Sequence, residues 1–502
     1  MSKGNDPLFQ LIHSMSSSEK RYFKRNALIG GDTDANYLKL FDTLNKMRTY
    51  DEDALRKKAF VKHLAAERKY LYEAILRSLR NYNSEDSIRA QISDLLLDAN
   101  YLYERGLYDQ SQRRLKIAQR LVRQIDYLPA QLEINNMSRL ILRENRTRKY
   151  RNELEELIVE KDEILLKLAY ELDCIDLNDR IWAKLMQQYE LKDEASKAEL
   201  QREFGEEFDR LAQVDTSAEG KRYFYSAGAY LNLLSGDYGK MEFFLRQILD
   251  WWEEREVVKN QRFSLYINAL ANYATACFYL KRFDLIPDIL KNLDELKPKK
   301  YHDKRAAFLK AASNKLMYYL NTGKVLPIRD LIPEIKAGIK QYKLANYSAL
   351  SFQANITVYY FLMEEWEACL SHIEDILREK RYPLRENIQQ LMRLLCVIVN
   401  FELGNIDRAE AELRGANRYF DKTLKRKTGF EFKALAFLRK LMATPLLEQE
   451  PLFQEFDAYI DRMNRERQHP YTGIEELQIW VKSKLGKRSI LEVYRDVLAR
   501  RG

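Results

Sequence analysis

A chain of 502 residues is too long for a single core, so it must form several domains or an extended stack of repeats. Gly 17 and Pro 10 together fall just under half of the roughly 12 percent usual for globular chains, so turns are few and the segments between them long. That scarcity argues against β-sandwiches and doubly wound sheets. A charged fraction of 32% beside an apolar 46% fits amphipathic helices with wet outer faces, and the net charge of +9 leaves a nucleic-acid or acidic partner open.

In chain order, residues 1–90 read as a small helical N-terminal domain. The first fifteen residues hold no apolar run long enough for an export signal, which predicts a cytoplasmic protein. Ser16 and Glu19 have capping-box spacing ahead of a helix that ends near Gly30-Gly31. Helices are predicted over 36–47, 51–60 and 66–81. The last of these puts Tyr70, Leu71, Ala74, Ile75 and Leu79 at helical spacing, with Lys69, Arg77 and Arg80 on its other face. The 51–60 and 66–81 pair could also serve as a helix-turn-helix.

From residue 91 a mark recurs: Gly or a substitute, then an aromatic or aliphatic residue two positions later. It stands at Gly106-Leu107-Tyr108, Gly236-Asp237-Tyr238, Lys281-Arg282-Phe283, Gly323-Lys324-Val325, Glu364-Glu365-Trp366 and Gly404-Asn405-Ile406. The last four steps are 45, 42, 41 and 40 residues, the period of stacked helical hairpins. Residues 263–298 show one unit clearly, two helices joined at Lys281-Arg282 with Ala271 and Ala274 where a neighbour needs close approach. Residues 263–280 and 347–363 carry no charge. Both are shorter than the roughly 20 apolar residues of a spanning helix and are interrupted by Asn, Ser and Thr, so buried inner helices are expected and no membrane insertion.

The small residue, turn glycine, aromatic and apolar series resembles the tetratricopeptide repeat. Ala99, Gly106, Tyr108, Leu115 and Ala118 occupy its pattern positions in the first hairpin, and Ala229, Gly236, Tyr238, Leu245 and Ile248 in the second. Ala274, Phe283, Leu290 and Pro298 do so in the third, and Gly404, Ala409, Leu413 and Ala416 in the fifth. The sequence departs from the family where Lys281 and Glu364 replace the turn glycine and where Pro333 falls in a second helix. The resemblance implies an all-α fold, a right-handed superhelical α-solenoid of antiparallel hairpins over 91–440, and a non-catalytic scaffold or adaptor. A peptide or helix of another protein would lie on its concave face. It also implies concave positions for the first-helix residues Tyr223, Tyr230, Asn268, Thr275, Tyr279 and Phe361. The family's Lys and Asn carboxylate clamp is missing, since Leu96 stands beside Asn100.

Residues 150–215 interrupt the register. Leu154, Leu157, Ile164 and Leu168 keep an apolar seam through dense charge, which predicts long helices. Residues 153–215 hold 19 acidic and 8 basic side chains, whereas 110–151 hold 11 basic and 3 acidic, so the two segments can pair with one another or face partners. Beyond residue 440 the period fades, and Thr472/Glu475 and Ser489/Glu492 at capping-box spacing open the helices of a C-terminal cap over 441–502.

Catalytic and cofactor signatures are missing. Five histidines are scattered, there is no HExxH or CxxC, and Gly486-Lys487-Arg488-Ser489 lacks the upstream glycine of a phosphate loop. Cys174, Cys277, Cys369 and Cys396 each sit in an apolar helical segment, as buried reduced thiols do. No enzyme, metal or cofactor is predicted. The alternative to a protein-binding scaffold is a DNA- or RNA-binding regulator. It would use the N-terminal helices and the basic clusters Arg143, Arg146, Arg148, Lys149 and Arg151, then Lys422, Lys425, Arg426 and Lys427, then Lys482, Lys484, Lys487 and Arg488.

Overall fold

Several helices in this chain begin where a side chain satisfies orphan amides, as at Asp6, Asp51, Ser87, Ser217 and Asp237, and several end where the backbone turns left-handed. The computed structural model describes residues 6–29, 36–61, 63–83, 87–145, 148–187, 194–214, 216–344, 346–378, 386–423, 429–465 and 473–501. Among the described residues there are twenty-five α-helices and one 3-10 turn, and no strand. The chain divides into two compact units, Met1–Tyr266 and Ile267–Gly502.

The first unit opens with α1 (Pro7–Ser14), α2 (Ser17–Ile29), α3 (Asn36–Lys46), α4 (Glu52–Arg56) and α5 (Leu64–Asn83). The capping box at its start is reciprocal: Ser16 N–H donates to Glu19 at 2.7 Å and Glu19 N–H donates to Ser16 Oγ at 3.2 Å. Leu8, Ile12, Phe23, Leu40, Phe41, Leu44, Leu55, Leu71 and Ile75 form a core of their own. The helix expected over 51–60 stops at Arg56, too short to act as half of a helix-turn-helix.

There follow α6 (Ile88–Glu104), α7 (Tyr108–Ile125), α8 (Leu128–Glu144), the 38-residue α9 (Tyr150–Gln187), α10 (Glu194–Ala212), α11 (Ala218–Ser235), α12 (Tyr238–Glu253) and α13 (Glu256–Gln261). α6, α7, α8 and α9 pack in succession, and α9 lies along α11, which pairs with α12. α9 and α10 run for 38 and 19 residues within the charged segment. The ion pairs of α9 include bridges to α10, Lys184 to Glu203 at 2.7 Å, Arg210 to Asp173 at 3.2 Å, and Arg180 to Glu207. Toward the preceding helices α9 uses amides instead, Glu160 accepting from Asn135 at 2.9 Å and Gln119 at 3.4 Å.

α14 (Phe263–Tyr279) carries the division between the units. The second unit continues through α15 (Ile286–Glu295), α16 (Tyr301–Thr322), α17 (Ile328–Gln341), α18 (Asn346–Leu362), α19 (Trp366–Arg378), α20 (Glu386–Glu402), α21 (Ile406–Thr423) and α22 (Phe430–Ala443). From α15 on, each packs against the next, and α16, α18, α20 and α22 also touch one another in that order. Burial of Ile267, Leu270, Ala274 and Cys277 in α14, and of Phe352, Ile356 and Tyr359 in α18, explains why both helices lack charge. No helix among the described residues is long and apolar enough to cross a membrane.

The periodic mark has one physical basis. Gly106, Gly236, Lys281, Gly323, Glu364 and Gly404 all have φ between 56° and 77°. At five of the six the next residue's amide reaches back to the carbonyl five positions earlier in the chain: Leu107 to Leu102, Asp237 to Asn232, Arg282 to Cys277, Glu365 to Tyr360 and Asn405 to Asn400, each at 2.9 or 3.0 Å. This is the Schellman ending, with Lys281 and Glu364 held in a conformation that costs an L side chain about 1–2 kcal/mol. Pro333 does not interrupt its helix; α17 runs through it, forgoing one backbone hydrogen bond.

The tail, α23 (Glu450–Arg465), α24 (Ile474–Gly486) and α25 (Ile490–Arg501), does more than cover a last apolar face. It folds back across the ends of α16, α18 and α20. Tyr494 Oη donates to the Leu320 carbonyl at 2.8 Å, Ile490 N–H to Glu364 at 2.8 Å, and Trp480 Nε1 to Glu402 at 2.6 Å. The second capping box also forms, with Ser489 and Glu492 bonding reciprocally, while Thr472 lies outside the described residues.

Candidate functional site

The folded-back tail makes one wall of a groove of about 780 Å³ in the second unit. Ser313, Met317 and Asn321 recur every four residues on α16, and Ser351, Asn355, Val358 and Leu362 follow the same face of α18. Phe278 and Tyr279 at the end of α14, with Asn387, Ile388 and Leu391 on α20, complete the inner surface. Glu475, Glu476 and Ile479 of α24 and Tyr494 and Leu498 of α25 close it.

Its chemistry is mixed along the length. Met317, Val358, Ile388 and Leu391 give an apolar floor, and the amides and hydroxyls of Asn321, Asn355, Asn387, Ser313 and Ser351 interleave with it. Asn321 Nδ2 donates to the Met317 carbonyl at 2.8 Å and Asn355 Nδ2 to the Ser351 carbonyl at 3.1 Å, which holds each amide against its own helix. Lys281 supplies positive charge and Glu475 and Glu476 negative charge. Such a lining suits a polypeptide segment with its own apolar side chains and backbone amides.

Comparison with protein-family models, curated proteins and solved structures finds no match for this chain. Its function must be argued from geometry.

Of the six residues expected on a concave face, Tyr279 lines the groove. Phe361 is fully buried and packs on Trp366 with ring centroids 5.7 Å apart, so it is core and cannot reach a partner. Tyr230 lies 4.9 Å from the Trp182 ring, joining α11 to α9, and burial raises its phenol above the ordinary range. Tyr223 sits 4.2 Å beneath the Arg222 guanidinium. Thr275 donates to the Ala271 carbonyl of its own helix at 3.0 Å, and Asn268 is half-buried on α14.

The Arg222 beside Tyr223 anchors a buried ionic cluster in the first unit. It meets Glu219 through two hydrogen bonds of 2.6 and 3.3 Å, and Arg262 reaches the same carboxylate at 2.7 Å. Burial alone would raise the Glu219 carboxyl, but the Arg222 and Arg262 guanidiniums outweigh it and hold the group below the usual carboxylate range.

The basic clusters separate in the structure. Arg143, Arg148 and Lys149 are exposed at the corner between α8 and α9, and Arg151 pairs with Glu155 at 3.2 Å. Arg146, Lys425, Arg426 and Lys427 lie outside the described residues. In the tail, Lys482 meets Asp461 at 3.3 Å, Lys484 meets Glu402 at 2.7 Å, and Arg488 meets Asp496 at 2.6 Å, so three of its four cations are neutralised within the fold. Sequence reasoning missed Met317, Asn321, Asn355 and Leu391. For Asn355 the signal was present as Ser and Asn every few residues in the uncharged α18, a pattern that fits burial and a groove wall equally well, whereas Met317, Asn321 and Leu391 stand on the charged helices α16 and α20.

Proposed function

We propose that this protein is a non-catalytic scaffold or adaptor that holds a peptide or helix of a partner protein in the groove walled by α16, α18, α20 and the folded-back tail. The observation that carries the reading is the groove itself: three successive first helices turn Asn and apolar residues, and two of them Ser, at three- and four-residue spacing toward one hollow. In this reading the hairpins continue as a right-handed superhelical, tetratricopeptide-like stack, consistent with the six left-handed helix endings. Four buried cysteines, none of them in a disulfide, support a reducing compartment such as the cytoplasm.

The test is capture from nuclease-treated lysate by the full chain and by Met317→Glu/Asn355→Arg. Both positions are partly exposed, so the variant keeps its fold, and its circular dichroism should match the parent. A protein retained by the parent and lost by the variant supports the groove. Equal retention by both sinks it.

A second reading, binding of DNA or RNA, rests on exposed Arg143, Arg148 and Lys149. It requires capture that disappears with nuclease and weakens steeply with salt, because phosphate binding releases counterions. Changing those three residues to Glu would then abolish retention on heparin.

A further inference from the structure

We propose a second docking surface, a groove in the first unit that takes a short extended segment of another protein with alternating apolar and basic side chains. The groove has a volume of about 770 Å³ and is lined by α7, α8 and α9. Ile134, Ile141 and Leu142 of α8 and Leu157 of α9 give it an apolar floor. Helical spacing puts Asp109, Gln112, Lys116 and Gln119 on one side of α7, and Glu153, Glu156 and Glu160 on one side of α9, so these two rows form its walls. One end is closed, where Glu160 accepts from Gln119 of α7 at 3.4 Å and from Asn135 of α8 at 2.9 Å. Asn135 is 1% exposed and its Oδ1 accepts no hydrogen bond among the described residues, which leaves an acceptor unsatisfied beside this end.

Charge identifies the occupant. Four carboxylates and one ammonium line the groove. The cations around it turn elsewhere, Arg114 to Asp98 at 3.5 Å, Arg151 to Glu155 at 3.2 Å and Lys161 to Asp162 at 2.7 Å. Asp109, Glu153 and Glu156 are left without an ion pair among the described residues. The helix macrodipole accounts for a carboxylate in a first turn, at Asp109 and Glu153, but not for Glu156. Nucleic acid and anionic lipid are repelled here. From Asp109 to Gln119 the α7 wall runs about 15 Å, the length of four or five extended residues. An extended chain offers backbone groups to Gln112, Ser138 and Asn145, apolar side chains to the floor, and Lys or Arg to the carboxylates of both walls. A linear polyamine matches the carboxylates, but it has no carbonyl to accept from Gln112 or Asn145 and no side chain for the floor. This surface shares no residue with the groove of the second unit and does not depend on it.

The test uses the full chain and three labelled synthetic peptides of about seven residues, enough to span the groove. One alternates Lys or Arg with Leu, one carries Glu in place of Lys and Arg, and one carries Gln in place of Leu. Fluorescence anisotropy should show the first bound more tightly than about 1 mM and the other two bound at least tenfold more weakly. Glu153→Gln/Glu156→Gln should weaken the first peptide at least tenfold and flatten its salt dependence. Neither carboxylate has an ion-pair partner to lose, so the melting temperature of this variant should match the parent. Glu155→Gln, on the opposite side of α9, and Met317→Glu/Asn355→Arg, in the groove of the second unit, should bind the first peptide as the parent does. Spermine at ten times the peptide concentration should not displace it. Failure of the first peptide to bind overturns the proposal, as does equal binding of either altered peptide or equal binding by Glu153→Gln/Glu156→Gln. So does displacement by that spermine, or loss of binding in Glu155→Gln or in Met317→Glu/Asn355→Arg.

Discussion

Replacing Glu219 by Gln tests how the first unit tolerates a buried cation. Glu219 and Arg222 expose only 15% and 11% of their side chains, and Arg222 is hemmed in by the rings of Tyr223, Trp251 and Trp252 at 4.2, 5.7 and 5.8 Å. Gln keeps the volume and one acceptor but removes the charge that balances two guanidiniums. Removing one partner of a buried pair costs about 3–5 kcal/mol, because the remaining charge stays desolvated. Urea unfolding followed by tryptophan fluorescence reads the change directly, since Trp251 and Trp252 flank the cluster. The double variant Glu219→Leu/Arg222→Met removes both charges of the pair and should recover most of the loss. The pH dependence follows from the same geometry. The folded carboxyl lies below its unfolded value, so its contribution is complete above the ordinary carboxylate range and is lost as pH falls through the folded value. A loss under about 1 kcal/mol for Glu219→Gln, or a Glu219→Gln variant with unchanged acid stability relative to the parent, would show that water reaches the cluster and refute the reasoning.

Lys281→Gly should stabilise the second unit by about 0.5–1 kcal/mol in thermal unfolding. It relieves a left-handed residue at φ 56° and gives back part of that gain as unfolded-chain entropy. Gly338→Ala should act in the opposite sense to the usual helix substitution, lowering stability by about 1–3 kcal/mol, because a Cβ there overlaps the Phe308 ring. Adding Phe308→Leu should restore part of the loss. The four cysteines should resist iodoacetamide at pH 8 in the native protein and all react in denaturant, counted by mass spectrometry. All four are buried, and burial pushes Cys174 up to about 11, Cys396 up to about 12 and Cys369 higher still, so little thiolate forms.

Helix positions were legible in the sequence because local chemistry writes them. Ser16 with Glu19 and Ser489 with Glu492 form the caps their spacing announces, and the recurring mark is the left-handed residue that ends a helix, filled by Lys281 and Glu364 as well as glycine. Two of the second helices begin later than the mark suggests, α15 at Ile286 and α17 at Ile328, each with proline at its start where a missing amide costs nothing. The short α4 fell outside this logic: Asp51 caps it, accepting from the Ala54 amide, yet the backbone leaves the helix after Arg56 without glycine or proline to announce it.

Side-chain direction was legible only in part, and the limit is physical. Helical spacing says which residues share a face; it does not say whether that face meets another helix, a groove or water. Tyr230 and Tyr279 both lie in the C-terminal halves of first helices, yet one packs on Trp182 of a distant element and the other borders the groove. What separates them is the 38-residue α9, which supplies a neighbour for α11 from outside the hairpin register. The same ambiguity covers the tail. Lys484 and Glu402 are 82 positions apart, as are Trp480 and Glu402 within four, and no periodic pattern links them. Their contacts nevertheless decide where the groove ends, because α24 supplies Glu475, Glu476 and Ile479 to its wall. A site assembled by such long-range returns leaves its chemistry in the sequence, as Asn and Ser among the apolar residues of its helices, but not its location.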